Sequence, residues 1–426
     1  MRILIIGAGP GGYETAVEAM RRGFEVTVVN DGPLGGTCLN VGCIPTKSLI
    51  HSCCVKKEPL KTAQEGKRQV ISQLQDGIAA LLKKADVVEG HASFTGPHSV
   101  KVGESTLTAD KIIIAGGSVP SQLPVPGAGY TVDSAQLLDC EEVPERLVVI
   151  GGGVIGLEMA GIFNALGTAV TVLEFLPCIL PRFDSDMAKR LKQQLVKSGI
   201  KIVTKAEVTS VAESSGGAYT VAYKSAEEVC SIEADKVLMA VGRRPAVEGL
   251  GLEAAGVAYD RKGIKVDGNM RTSVPGIYAI GDVTGGMMLA HVATAQGLRA
   301  LDDICGKNDN IDFSCIPSVV FTRPEFASVG KTEEDCKAEG VEYTVLRSNY
   351  RANGKAVTEG ETEGCCKFIA GSDGRLLGCH ILGAHAADLI GEATALIALN
   401  ATVEQAGWLI HAHPTVSEVL QSCFRQ

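Results

Sequence analysis

Residues 1–30, MRILIIGAGPGGYETAVEAMRRGFEVTVVN, and residues 147–174, LVVIGGGVIGLEMAGIFNALGTAVTVLE, are two renderings of one pattern. Each begins with a short apolar strand, Arg2 to Ile6 or Leu147 to Ile150. Each then turns on glycines in GxGxxG order, Gly7, Gly9 and Gly12 or Gly151, Gly153 and Gly156, before a helical stretch and a second apolar strand. The first glycine permits the tight turn, the second lets a pyrophosphate approach the backbone, and the third allows the helix to pack closely. One such fingerprint is a weak signal. Two in register with flanking strands imply two bound dinucleotides and an α/β fold with two Rossmann-like dinucleotide-binding domains.

Glu174 ends the second strand of the later repeat, and Asn30 holds the same place in the earlier one, each about 18 residues beyond its last glycine. A carboxylate there hydrogen-bonds a ribose 2′-hydroxyl and repels a 2′-phosphate, so Glu174 favours NAD over NADP. Asn30 meets ribose hydroxyls with an amide, a weaker partner than a charge.

Outward from the repeats, Lys111 to Gly117 and Lys236 to Arg244 read as strands closing each nucleotide unit, and Gly276 to Asp282 as a strand ending in an acid, followed by a helix from about Leu289. Short strands mixed with helices begin near Ile316. The expected division is 1–140 and 266–312 for a first dinucleotide-binding domain in two parts, 141–265 for an NAD-binding domain, and 313–426 for an α+β domain. Val70, Leu74, Ile78, Leu81 and Leu82 recur at helical spacing and are expected to pack in the core.

The chain has 426 residues, 50 of them glycine, and a formal net charge of −9. An acidic surface argues against a general affinity for nucleic acid or anionic membranes. Leu147 to Phe163, the most apolar run, is broken by five glycines and Glu158 and is no bilayer span. With no signal-like N-terminus, a cytoplasmic protein is expected. Its fourteen cysteines are then mostly free thiols acting as small buried hydrophobes, and with no Cys/His cluster at zinc-site spacing no metal is expected.

Two cysteines stand apart. Residues 35–49 read GGTCLNVGCIPTKSL. On an ideal helix Cys38 and Cys43 would have Cα atoms about 7.5 Å apart, beyond the usual disulfide span of about 4.4 to 6.8 Å. A bond between them needs a distorted helix, which Gly42 and Pro45 make available, and a strained, accessible disulfide is the easily reduced kind.

This string resembles the signature of the class I pyridine nucleotide-disulfide oxidoreductases, and its wording is most similar to the dihydrolipoamide dehydrogenases. The likeness extends through GGGVIGLE, GIYAIGDV, MLAH, FTRPEFASVG, ADLIGEA and HAHPTVSE. It implies that Cys38 exchanges with a substrate disulfide and that Cys43 faces the flavin. Lys47 would lie near the flavin N5, paired with Glu158. His413, oriented by Glu418, would be the base that makes a substrate thiol a thiolate; His411 is expected to be structural. For FAD the resemblance points to Gly7, Gly9, Gly12, Asn30, Gly36, Thr37, Lys47, Ala92, Gly117, Asp282 and the run Leu289, Ala290, His291. For NAD it points to Gly151, Gly153, Gly156, Glu158, Glu174 and Gly242. It also implies a homodimer in which His413 reaches the other subunit's disulfide, and a lipoyl-carrying partner from a 2-oxo acid dehydrogenase or glycine-cleavage complex.

Several positions depart from the family pattern. Asn30 replaces a common acid with Asp31 as its substitute, Gly116 stands where Thr is frequent, and both His51 to Ala85 and the tail after Glu418 are short. Glutathione reductase-like relatives would carry basic residues near Glu174, where Phe175 and Leu176 follow instead. A non-catalytic flavoprotein scaffold would have lost a redox residue, and none of Cys38, Cys43, Lys47, His413 or Glu418 is missing.

Overall fold

The computed structural model describes residues 1–226 and 228–425. Strand Arg2–Ile6 is flanked in a parallel sheet by Glu25–Asn30 and Lys111–Ile114. Asp86–Glu89 and Ile277–Ala279 form the edges. Ile3, Ile5, Val28, Ile112 and Ile113 are wholly buried, as strands covered on both faces require. The second repeat builds a parallel sheet in the order Lys201–Thr204, Ala169–Glu174, Arg146–Ile150, Lys236–Met239. Each unit also carries a three-stranded antiparallel meander, Ala92–Gly96 to Ser105–Thr108 in the first and Ala206–Glu213 to Glu228–Ala234 in the second.

From Ser318 the character changes. Five antiparallel strands, ordered Ser318–Val320, Glu325–Gly330, Leu376–Gly383, Cys365–Gly371, Tyr343–Asn349, form one sheet against helices Ala386–Ala398 and Glu418–Phe424. The fold is therefore α/β, two Rossmann-like units with a C-terminal α+β unit. One apolar cluster joins Val149 and Val172 of the second sheet, and Phe163 of the helix Val154–Ala165 that covers it, to Val320, Phe326 and Leu382, so the C-terminal unit is docked on the second nucleotide unit.

Helix Leu60–Leu81 corrects one expectation. Ile78 and Leu82 are buried, but Val70, Leu74 and Leu81 are exposed. The buried stripe passes instead through Ala63, Gln64 and Lys67. Gln64 and Lys67 both donate to the Leu138 carbonyl, and Lys67 pairs with Asp139 at 2.7 Å. Periodicity marks an apolar face and does not say what covers it. The cysteine expectation holds only in part: seven are buried, whereas Cys178 and Cys305 are exposed. No helix among the described residues is long and apolar enough to cross a membrane.

Candidate functional site

A continuous cavity of about 2270 Å³ runs from the first glycine turn past the two cysteines to the second. Its size exceeds the usual single-ligand pocket of about 300–1,000 Å³. Helices Pro10–Arg21 and Val154–Ala165 enter its wall behind Gly9 and Gly153 with no side-chain cap, which leaves their first amides for an anion. Missing side chains make the cradle. A Cβ on Gly12 would lie 1.8 Å from the Gly7 oxygen, one on Gly156 2.1 Å from the Gly151 oxygen, and one on Gly36 2.8 Å from the Gly9 Cα. Gly7 and Gly151 hold φ of +104° and +114°, open to glycine. These residues fit two dinucleotide pyrophosphates. Gly7, Gly9, Gly151 and Gly153 line the cavity, and Gly12 and Gly156 sit behind it.

The two strand-end residues make one shared bond. Asn30 Oδ1 accepts from the Ala8 amide at 2.9 Å, and Glu174 Oε2 accepts from the Gly152 amide at 2.6 Å. Their other atoms differ: Asn30 Nδ2 donates to the Gly32 carbonyl, while Glu174 Oε1 accepts from Leu176 N at 2.7 Å. Asp31, the substitute acid, is exposed and faces His91 Nδ1 at 3.1 Å.

Gly42 resolves the spacing of the cysteines. Its φ of −137° and ψ of −113° end helix Gly36–Val41 and start helix Cys43–Leu49. The expected distortion is thus a full break, and a Cβ at Gly42 would press on the Thr37 carbonyl at 2.8 Å. Cys38 and Cys43 are free thiols in hydrogen-bond contact. The bond donated by Cys38, aided by the nearby Lys47 charge, draws Cys43 down to about 7 against the opposing effect of burial. The same bond, together with burial, pushes Cys38 well above the ordinary thiol range. One thiol keeps the proton and its neighbour carries the charge.

Lys47 Nζ lies 2.8 and 3.1 Å from the two Glu158 oxygens, and 4.5 Å from the centre of the Phe321 ring. The Phe321 amide donates to Glu158 Oε1 at 2.9 Å. Three units thereby converge on one cation: the cysteine helix, the second glycine helix and the C-terminal unit.

Asp282 accepts from the Ser118 hydroxyl at 2.5 Å, and Arg243 donates to that hydroxyl at 2.7 Å and to the Ser118 carbonyl at 2.6 Å. Gly117 and Gly242 flank this group at the cavity wall, with Ala92, Gly36 and Thr37 further along. Helix Ala290–Ile304 starts at the same wall with no side-chain cap behind Leu289, so its positive end faces the cavity. His291 also lines it and bonds to the Pro317 carbonyl at 2.9 Å.

His413 and Glu418 meet, but not here. His413 Nδ1 is 3.0 and 3.2 Å from the Glu418 oxygens, and the Thr415 amide holds Glu418 Oε2 at 3.0 Å. Those bonds keep the Glu418 carboxyl below its usual range, the Thr415 amide contributing most. The His413 side chain is 77% exposed and does not line the cavity. The His411 side chain is largely covered and its Nε2 lies 2.8 Å from Glu392 Oε1.

Sequence reasoning missed Arg243, Phe321 and Tyr13. Arg243 stood in the Lys236 to Arg244 segment and Phe321 in the FTRPEF run, yet neither signals a partner more than a hundred residues distant. Tyr13 lies near Cys38, its phenol pushed up to about 12, mainly by burial.

Comparison with known proteins fits this geometry. Residues 1–297 match the family model described as pyridine nucleotide-disulphide oxidoreductase, and residues 316–423 match the dimerisation domain of that family. The chain is 41% identical over 442 residues to the dihydrolipoyl dehydrogenase of Thermus scotoductus, covering 98% of this chain and 95% of that one. It is 41% identical over 441 residues to that of Geobacillus stearothermophilus, with 98% and 94% covered. Among solved structures it resembles the HOCl-induced flavoprotein disulfide reductase RclA from Escherichia coli, with TM-score 0.93, 30% identity, and 100% and 99% of the chains covered. LpdA from Mycobacterium tuberculosis gives TM-score 0.92 at 27% identity, with 100% and 99% covered.

Proposed function

The chain belongs to the pyridine nucleotide-disulphide oxidoreductase family, whose members typically bind FAD and use a nicotinamide nucleotide, and from that premise we propose that it oxidises protein-bound dihydrolipoamide to lipoamide with NAD⁺ as final acceptor. The observation that carries this reading is the asymmetric thiol pair, Cys43 lowered and Cys38 raised, lining the same cavity as both glycine cradles.

In this reading His413 takes the proton from one substrate thiol, and Glu418 holds the ring through Nδ1 so that Nε2 is the basic atom. The substrate thiolate attacks the Cys38 sulfur of the oxidised pair, the S–S bond breaks, and Cys43 leaves as the better-stabilised thiolate. His413 returns its proton to the Cys38 sulfur and takes the proton of the second substrate thiol, which closes the substrate disulfide as Cys38 is expelled; the site is left with a Cys38 thiol, a Cys43 thiolate and a protonated His413. Two electrons then rest on the enzyme dithiol. FAD, when bound, supplies the relay from that dithiol to NAD⁺, and Lys47 supplies positive charge beside it.

Because His413 lies outside the cavity that holds the cysteines of its own chain, the reading includes a homodimer in which each site takes its base from the partner. The dimerisation-domain match supports this. The macromolecular partner is then the lipoyl carrier of a 2-oxo acid dehydrogenase or glycine-cleavage complex. Likeness to a flavoprotein disulfide reductase favours a second reading, reduction of a different disulfide.

Steady-state turnover of dihydrolipoamide with NAD⁺ and with NADP⁺ tests the reading. Fast turnover with a strong NAD⁺ preference is expected. Inertness toward dihydrolipoamide in protein that still reduces its flavin with NADH would leave the second reading, and a clear NADP⁺ preference would refute the role of Glu174.

A further inference from the structure

The loop after Glu174 is tied down at both ends. Glu174 bonds to Gly152 N, and Leu180 donates its own amide to the Gly152 carbonyl at 3.1 Å. Leu180 sits at φ +50°, a left-handed conformation that a branched side chain keeps only where its surroundings over-determine it. The loop ends at Asp184, which is fully buried. One Asp184 oxygen accepts from the Met187 amide at 3.1 Å, and the other from Lys367 Nζ at 2.6 Å.

Lys367 belongs to strand Cys365–Gly371 of the C-terminal sheet, and its side chain is 1% exposed. It also reaches Glu333 at 2.5 Å, while His380 lies 3.9 Å from the same Asp184 oxygen. A buried ammonium is tolerated only while such partners stay in place. Glu174 and Leu180 line one wall of the nucleotide cavity, and Gly330 and Thr332 of the C-terminal unit line it nearby.

We propose that Lys367 is a positioning residue for the nicotinamide nucleotide. Through Asp184 it fixes the loop 175–183, and with that loop the Gly152 turn and the Glu174 carboxylate that receive the adenosine ribose. The inference rests on the reading of Glu174 given above. A clamp of purely structural value would lower stability and leave nucleotide affinity alone.

The test is calorimetric titration of the full-length, FAD-loaded protein with NAD⁺, comparing wild type with the double variant Lys367→Met/Asp184→Asn. Neutralising Asp184 and Lys367 together is tolerated far better than removing one alone, and Glu333, which loses Lys367, is partly exposed and keeps Tyr343 and Arg347 as partners. The expected result is a Kd for NAD⁺ raised about tenfold, with KM for NAD⁺ rising in parallel and kcat changing much less. A double variant that melts lower but binds NAD⁺ like the wild type overturns the proposal. If the double variant does not accumulate folded, Asp184→Asn alone carries the test, since it keeps an acceptor for Met187 and leaves Lys367 paired with Glu333. Unchanged NAD⁺ affinity there is equally fatal. Wild type that binds NADP⁺ instead of NAD⁺ would overturn the Glu174 reading, which is a separate failure.

Discussion

At the scale of single residues, the decisive group is Cys43. Its pKa is lowered to about 7, so the thiolate persists above that pH and is lost as pH falls through it. In FAD-loaded protein reduced by two electrons, the long-wavelength thiolate-to-flavin absorption is therefore expected to titrate with a midpoint near 7. Lys47→Met removes a cation that favours the thiolate and should move the midpoint upward. It should also cost about 3 kcal/mol of stability, read from denaturant unfolding, because Glu158 stays buried with the Phe321 amide as its remaining partner among the described residues. A wild-type midpoint at the ordinary thiol value near 8.5 would sink the account of the pair. Much at this scale was legible in the sequence: Cys38 and Cys43 stand out by spacing, and Glu174 by its offset from a glycine turn. Arg243 and Phe321 were not, because their partners Ser118 and Glu158 are brought to them only by the docking of separate units.

Among elements, the two strand–turn–helix repeats were the most legible, since Gly7 and Gly12 in one and Gly151 and Gly156 in the other sit where a Cβ would strike backbone. That makes them separable by mutation. Gly156→Ala drives a Cβ to 2.1 Å from the Gly151 oxygen, and Gly12→Ala drives one to 1.8 Å from the Gly7 oxygen. The first variant should retain its flavin and lose NAD⁺ affinity by at least about tenfold, while the second should purify depleted in flavin. Flavin-to-protein absorbance and NAD⁺ titration read the two effects, and equal damage to both ligands in both variants would refute the assignment of one cradle to each. Helix Leu60–Leu81 was the element least legible. Its apolar positions were plain, but Gln64 and Lys67 occupy the stripe that packs because they satisfy the carbonyl end of a neighbouring short helix. Val70, Leu74 and Leu81 are left on an open face.

For the molecule as a whole, the separation of His413 from the cysteine cavity is the feature with the largest consequence. Two inactive variants, Cys43→Ser and His413→Ala, mixed and allowed to exchange subunits, should recover about a quarter of wild-type turnover, since half the dimers are hybrid and each hybrid holds one intact site. Recovery of nothing from demonstrably mixed dimers would place both groups of a site in one chain. The C-terminal unit was visible in the sequence as short strands and helices, but its grip on the nucleotide loop was not, because Asp184 and Lys367 are 183 residues apart and neither lies in a motif. The bonds from Ala8 to Asn30 and from Gly152 to Glu174 match across the two nucleotide units. Each bond latches the end of one strand to the turn that opens the helix before it, so the latch needs only an acceptor oxygen and works with an amide in one unit and a carboxylate in the other.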